Sequence, residues 1–308
     1  MNTTKSVSAS FHLNNKEARK ELNIFLEHTN LPADHNPKYL GVTLDRQLNY
    51  RKHLEGCANK IANRNSLMRR LARTSWGASQ QVLRTSAIAL YYSVGEYCTP
   101  IWMRSPHVQL VDVKLRESMR IVTGCLKSTP TQWLPTLSAI APPNLRRQEA
   151  NQKMFMKIEN ASDSIPVKQV LDNAPKTSRL KSRKPFYNSK IENFDLKEEW
   201  KTEWKKDIPK GGDIIEDPTE RMPGFLKSNR KHWVTSNRLL TRHGRTAANM
   251  HRWKLRETED CRHCQGGPET TDHLVLECPV TSLAGGYETI LTSGDDFKEW
   301  ADKFNLEV

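Results

Sequence analysis

Four residues near one end of the chain have the types and spacing to hold a metal: Cys261, Cys264, His273 and Cys278, in the pattern C-x2-C-x8-H-x4-C. Two close thiols, a loop, then an imidazole and a third thiol supply four soft donors that can converge on a tetrahedron, which is what Zn²⁺ selects. Gly266, Gly267 and Pro268 supply the chain reversal between the two ligand pairs. Thr270, Thr271 and Asp272 offer caps for a short helix carrying His273 and, further along, Cys278. His263, between the first two thiols, reads as a loop residue. Four protein ligands leave no open coordination position, so a structural or binding zinc is expected rather than a catalytic one.

Other chemistry is sparse. The sequence has no phosphate-loop, H-E-x-x-H, G-x-S-x-G or dinucleotide signature. Asp295 and Asp296 follow Ser293 and Gly294 at the start of a helix, so they read as caps rather than as Mg²⁺ ligands on a hairpin. The ten histidines have no nucleophile at a recognisable spacing.

The composition says what surrounds the metal motif. The chain has 308 residues, enough for two or more domains, with 36% hydrophobic and 27% charged residues. Lys plus Arg outnumber Asp plus Glu by 48 to 35, a net charge of +13, which points to a polyanionic partner, RNA or DNA. Six cysteines, three of them in the motif, do not make a disulfide framework and fit a reducing compartment. There is no signal pattern at the start, and the most apolar run, about 86–97, is too short to span a bilayer. An intracellular chain, nuclear or cytoplasmic and with no membrane partner, is expected; oligomeric state is not legible.

Elements must position these groups. Val7 to Leu13 alternates weakly, as a strand would, and Asn14 caps a helix with apolar positions Ala18, Leu22, Phe25 and Leu26. Lys38 to Asp45 reads as a strand with Gly41 at a bend. From Tyr50 to Arg73 the stripe Leu54, Cys57, Ala58, Ile61, Ala62, Met68, Leu71 and Ala72 defines a helix. Its other side carries Lys52, Lys60 and Arg70, flanked by Arg64, Arg69 and Arg73; this is either a solvated face or a phosphate-contacting one. Ser79 caps a second helix, Gln80 to about Cys98, apolar nearly all round and so the buried spine of a bundle. Tyr91, Tyr92 and Tyr97 read as core or core-edge residues.

Further helices are expected at about 108–122, stopped by Gly124, at 133–140, and at 145–160, basic at its start through Arg146 and Arg147. A basic linker with Lys176, Arg179, Lys181, Arg183 and Lys184 follows. Beyond it come a helix at 191–207 whose Trp200 and Trp204 pack rather than stack on bases, an acidic loop, and a helix at 225–240. The basic Gly turn with Arg242 and Arg245 and a short helix through Met250, Arg252 and Trp253 lead into the metal motif. A last helix, capped by Asp296, runs through Phe297, Trp300 and Phe304.

Taken together these residues resemble a known family. Phe11 to Ala18 and Pro37 to Arg46 are similar to the segment just past the catalytic core in reverse transcriptases of jockey-like non-LTR retrotransposons. So are Trp76 to Ala78, Glu96 to Cys98 with Pro100 to Trp102, Thr129 and Pro130 with Trp133 to Pro135, and Pro142 and Pro143 with Leu145 to Arg147. Gly244 and Arg245 with Asn249 to Trp253, leading into the Cys-Cys-His-Cys motif, match the family's C-terminal region. The resemblance implies a mainly α chain: a short β-hairpin at the N-terminus, a helical thumb-like bundle and a small zinc-binding C-terminal module. It divides the chain into the end of the palm and a primer-grip-like hairpin (1–48), the bundle (49–160), a basic and polar linker with one helix (161–224), and the zinc domain (225–308).

In this resemblance Lys5 stands near the lysine that helps protonate leaving pyrophosphate, and Tyr39, Leu40 and Gly41 form the primer-grip-like turn. Template–primer or target nucleic acid would meet Lys52, Lys60, Arg64, Arg70, Arg146, Arg147, Arg242, Arg245 and Arg252. The family's catalytic aspartates would lie before position 1. Mg²⁺ would be used only with that polymerase core present, and RNA-directed DNA polymerisation by this chain alone is not expected. The alternative is a free-standing zinc-dependent RNA- or DNA-binding protein.

Overall fold

In a computed structural model, residues 5–12, 14–73, 76–173 and 193–306 are described; the linker lysines and arginines from Lys176 to Lys184 lie outside them. The chain opens with a single turn of helix, α1 (Asn15–Ala18), whose Asn14 cap accepts from the Lys16 N–H. The expected continuation to Leu26 does not form. Leu22 and Phe25 are exposed, and Phe25–Leu26 (β1) instead pairs antiparallel with Thr29–Asn30 (β2). A short helix whose apolar face finds no partner lacks the burial that would hold it. Glu27 and His28 both take positive φ, the two-residue turn that matches strand twist. The alternation from Val7 yields only a bridge between Ser8 and Ala33.

The strand expected over Lys38 to Asp45 is a hairpin, β3 (Lys38–Tyr39) paired with β4 (Val42–Thr43). Leu40 (φ 45°) and Gly41 (φ 84°) make its turn. The Tyr97 hydroxyl donates to the Leu40 carbonyl at 2.7 Å, and a Cβ at position 41 would press on the Tyr97 ring at 3.1 Å. Asp45 then organises entry into α2 (Arg51–Leu71): its carboxylate accepts from the N–H groups of Gln47, Asn49 and Tyr50. Leu54, Cys57, Ala58, Ile61 and Met68 are buried along the expected stripe, while Leu71, the last helical residue, is exposed.

Ser79 caps α3 (Gln80–Ala87), which runs through a π-helical turn, Ile88–Tyr92, into α4 (Ser93–Gly95). The all-round burial expected here holds on one side only: Leu83, Ala87, Tyr91 and Tyr92 are buried, but Val82 and Leu90 are about half exposed. Then follow α5 (Thr99–Trp102), α6 (Gln109–Thr123), α7 (Trp133–Ser138), α8 (Pro143–Glu159) and α9 (Pro166–Asp172). After the undescribed stretch come α10 (Leu196–Lys206), α11 (Gly224–Lys227), α12 (Arg230–Leu240), α13 (Ala247–Arg252), α14 (Gly286–Thr292) and α15 (Asp295–Lys303). The fold is mainly α; the described strands form two two-stranded sheets. Asp295 and Asp296 lie in the first turn of α15 rather than capping it: Gly294 is the N-cap, and Asp295 pairs with Lys298 at 2.8 Å.

The elements divide into two compact units, each built from separated segments. The first comprises Met1–Ala62, Ser93–Lys114 and Arg146–Phe194; the second comprises Asn63–Tyr92, Leu115–Leu145 and Asp195–Val308. In the first, Trp102 is fully buried and its indole donates to the Tyr97 carbonyl at 2.7 Å. In the second, α12 lies across the C-terminal end of α6. Arg230 donates to the carbonyls of Ile121 (2.8 Å) and Val122, Asn237 to Thr123 at 2.9 Å, and Arg238 to Gly124 at 2.9 Å. A helix end leaves just these carbonyls unpaired, and cations suit its negative pole. Phe225 meets Trp233 edge-on at 5.4 Å, and Trp133 meets Trp204 at 5.7 Å. Trp200 and Trp204 are buried, as their packing role requires.

Candidate metal centre

The two ligand pairs arrive on different local structures. Cys261 and Cys264 sit on a tight knuckle: Cys261 takes a hydrogen bond on its carbonyl from Gln265 N–H (3.0 Å) and gives its own N–H to Gly267 (2.8 Å). The Gly266 N–H points at the Cys264 Sγ at 3.4 Å. His273 and Cys278 come from the chain after the reversal. The Thr270 hydroxyl accepts from the His273 N–H at 2.9 Å, the cap expected there. The helix it starts is a π turn, His273–Glu277, closed by a hydrogen bond from Cys278 N–H to the His273 carbonyl at 2.7 Å. This solves a spacing problem. Residues five apart on an α-helix point well away from each other, whereas a π turn brings positions i and i+5 round to one side.

The donor atoms converge. All four lie within 4.8 Å of one another. Cys261 and Cys278 sulfurs are 4.0 Å apart, and Cys264 Sγ is 3.2 Å from His273 Nε2. Zinc bonds of about 2.3 Å to sulfur and 2.0–2.1 Å to nitrogen give tetrahedral edges of roughly 3.8 Å and 3.5 Å, so the residues fit the ion. Cys261 and Cys278 are buried with Leu274 in a small apolar cluster, and Cys264 packs at its edge. Burial alone would raise the Cys278 thiol. Polar contacts with the Thr281 side chain, the Val280 and Thr281 N–H groups and Cys264 outweigh it and bring the thiol down to about 6, favouring the ligating thiolate. His263 lies outside the cluster, with its ring edge-on to Phe304 at 5.8 Å.

Residues beyond the ligands hold this arrangement, and sequence reasoning did not single them out. Glu269 is fully buried inside the knuckle. Its carboxylate accepts from the Arg262 guanidinium at 2.8 and 2.9 Å, the Arg262 N–H at 3.0 Å and the Ala247 N–H at 2.9 Å, tying the loop to α13. Burial alone would raise this acid; Arg262 and the backbone donors outweigh it and keep it below the usual glutamate range. Thr281 donates to the Leu274 carbonyl at 2.9 Å, and the Trp300 indole donates to the Thr281 carbonyl, anchoring the centre to α15. No sequence signal marks Glu269: one acid and one base seven positions apart in a loop are commonplace.

The expected cationic contacts fall into two groups. Lys52, Lys60, Arg70, Arg245 and Arg252 are exposed. Arg64 is partly buried and donates to the Leu90 carbonyl. Arg146 reaches Glu96 at 2.5 and 2.9 Å, and Arg147 is buried in a two-pronged pair with Asp112. Arg242 bonds Asp272 at 2.8 Å and lies 4.4 Å from the Tyr287 ring centre. Tyr39 and Leu40 project from the first unit's hairpin, 67% and 73% exposed, and Lys5 is exposed before it.

Residues 221–284, which contain all four ligands, match the family model described as zinc-binding in reverse transcriptase. The chain is 23% identical over 300 residues to a retrovirus-related Pol polyprotein of the type-1 retrotransposable element R1 4 of Nasonia vitripennis, covering 91% of this chain and 73% of that protein. It is 24% identical over 270 residues to the Pol polyprotein of the R1 element of Bradysia coprophila, covering 83% of this chain and 25% of that one. No solved structure matches. The chain is therefore a relative of the C-terminal region of non-LTR retrotransposon reverse transcriptases. No helix among the described residues is long and apolar enough to cross a membrane.

Proposed function

We propose that this chain is the nucleic-acid-holding part of a retrotransposon reverse transcriptase, gripping template–primer or target nucleic acid without polymerising by itself. The observation that carries this reading is a closed Cys-Cys-His-Cys centre set in a strongly basic chain. A site with four protein ligands stabilises a fold rather than activating water, and exposed Lys52, Lys60, Arg70, Arg245 and Arg252 offer phosphate contacts. The exposed Tyr39-Leu40-Gly41 turn is the primer-grip candidate, held from behind by Tyr97. Arg147 has its charge answered by Asp112, so it positions α8 rather than meeting phosphate. Among the described residues no aspartate pair stands on a hairpin; Asp295 and Asp296 lie in the first turn of α15. On this reading the protein would act inside the cell, in nucleus or cytoplasm. The test is paired: zinc-loaded protein should bind a template–primer duplex with a steep salt dependence, and a primer-extension assay with Mg²⁺ should show no dNTP incorporation. Clear incorporation would sink the second half of the reading; absence of binding at low salt would sink the first.

A further inference from the structure

Outside the metal centre, the second unit carries a cleft of about 590 Å³ where the end of α2, the end of α6 and α12 meet. Arg69, Arg73, Arg120, Arg230, Arg238 and Arg245 line it, and its one carboxylate, Glu117, already pairs with Arg69. Arg230 and Arg238 are 6% and 7% exposed and fixed by the carbonyls at the end of α6. Desolvation lowers both guanidinium groups to about 10. They remain charged at neutral pH. Arg73 and Arg245 are exposed at the mouth.

A second cleft of about 500 Å³ adjoins the first. It shares Lys127 and Arg245, and is otherwise lined by Leu126, Ser128, Met250, Trp253 and Leu255. Leu255, beside Trp253 in this cleft, is 67% exposed. Trp253 is partly buried, and none of the aromatic pairs among the described residues includes its ring. A cationic cleft joined through Lys127 and Arg245 to one lined by Leu126, Met250, Trp253 and Leu255 suits an unpaired nucleotide, with phosphate in one part and base face in the other. A duplex keeps its bases stacked on each other and can present only phosphates and groove edges.

We propose that the joined clefts hold a single-stranded stretch of RNA or DNA, its phosphates against Arg73 and Arg245 and one base on Trp253. This rests on the nucleic-acid reading above and narrows it to unpaired strand. Fluorescence anisotropy on the zinc-loaded full chain tests it with labelled single strands, as RNA and as DNA, the same strands with abasic sites at the centre, and a blunt duplex. Trp253→Ala should weaken binding of intact single strands about tenfold and leave the abasic strands and the duplex unaffected, with Trp253→Phe restoring affinity. Arg245→Ala should weaken intact and abasic strands alike and lower the salt slope by about one. The proposal falls if Trp253→Ala leaves single-strand affinity unchanged or reduces every probe equally, or if Arg245→Ala leaves the salt slope intact. Wild-type protein that binds only duplex overturns this inference alone; wild-type protein that binds no probe overturns the broader reading as well.

Discussion

Glu269 supports the metal centre without being one of its four candidate ligands. Its buried carboxylate answers the Arg262 side chain and two backbone donors. Glu269→Ala leaves the Ala247 and Arg262 N–H groups without their acceptor, while the half-exposed Arg262 side chain can turn to water, so it should destabilise the zinc region by about 1–3 kcal/mol and cost roughly ten- to a hundredfold in zinc affinity. Competition with a chromophoric chelator and thermal unfolding measure the two effects; unchanged affinity would mean that the knuckle forms without its carboxylate. Gly124 is sensitive for two reasons at once. Its φ of +74° lies in the left-handed region, and a Cβ there would stand 2.4 Å from Val234 Cγ2. Gly124→Ala should therefore cost about 2–4 kcal/mol, combining left-handed backbone strain with overpacking, as a shift of the urea midpoint would show.

At the scale of elements, the decisive device is α12 capping α6 with side chains beyond the local stop at Gly124. Arg230 satisfies two carbonyls at the end of α6 and reaches the Arg73 carbonyl at 3.2 Å. Arg230→Met keeps the bulk but strands these acceptors, and should destabilise the second unit by about 2–4 kcal/mol in chemical denaturation. A loss under about 1 kcal/mol would show that water takes over the carbonyls. Elements of this kind mark where the sequence was readable. Starts set by neighbours in the chain were legible: Ser79 before α3, Thr270 before His273, and the Gly124 stop of α6. So was the gathering of Cys261, Cys264, His273 and Cys278, because it was read from residue type and spacing alone. The π turn that aligns His273 with Cys278, the short α1 and the half-exposed face of α3 were not. Each depends on what packs against the element from far along the chain, and hydrophobic period carries no record of that.

For the whole molecule, the question is how far the metal's influence extends. The apolar cluster at the centre is small, one fully buried leucine with the cysteines. A leucine contributes about 1.5–3 kcal/mol by burial, whereas structural zinc binding supplies on the order of 10 kcal/mol. On the zinc reading proposed above, bound metal would therefore decide whether the knuckle forms. The second unit has other support: Phe225, Trp233 and Phe297 are fully buried without any metal ligand among them, and the Gln80 side chain holds the Phe225 and Ser228 carbonyls at 2.6 and 2.9 Å. Removing zinc with a strong chelator, or Cys264→Ser, should abolish hydrogen-exchange protection over about 247–281 while α3, α6 and the first unit's α8 stay protected. Circular dichroism should then lose only the helical signal of the short C-terminal elements. If protection in α3 and α6 collapses together with the knuckle, the zinc domain proposed at 225–308 is not a separate folding unit, and the metal stabilises the thumb-like helices directly.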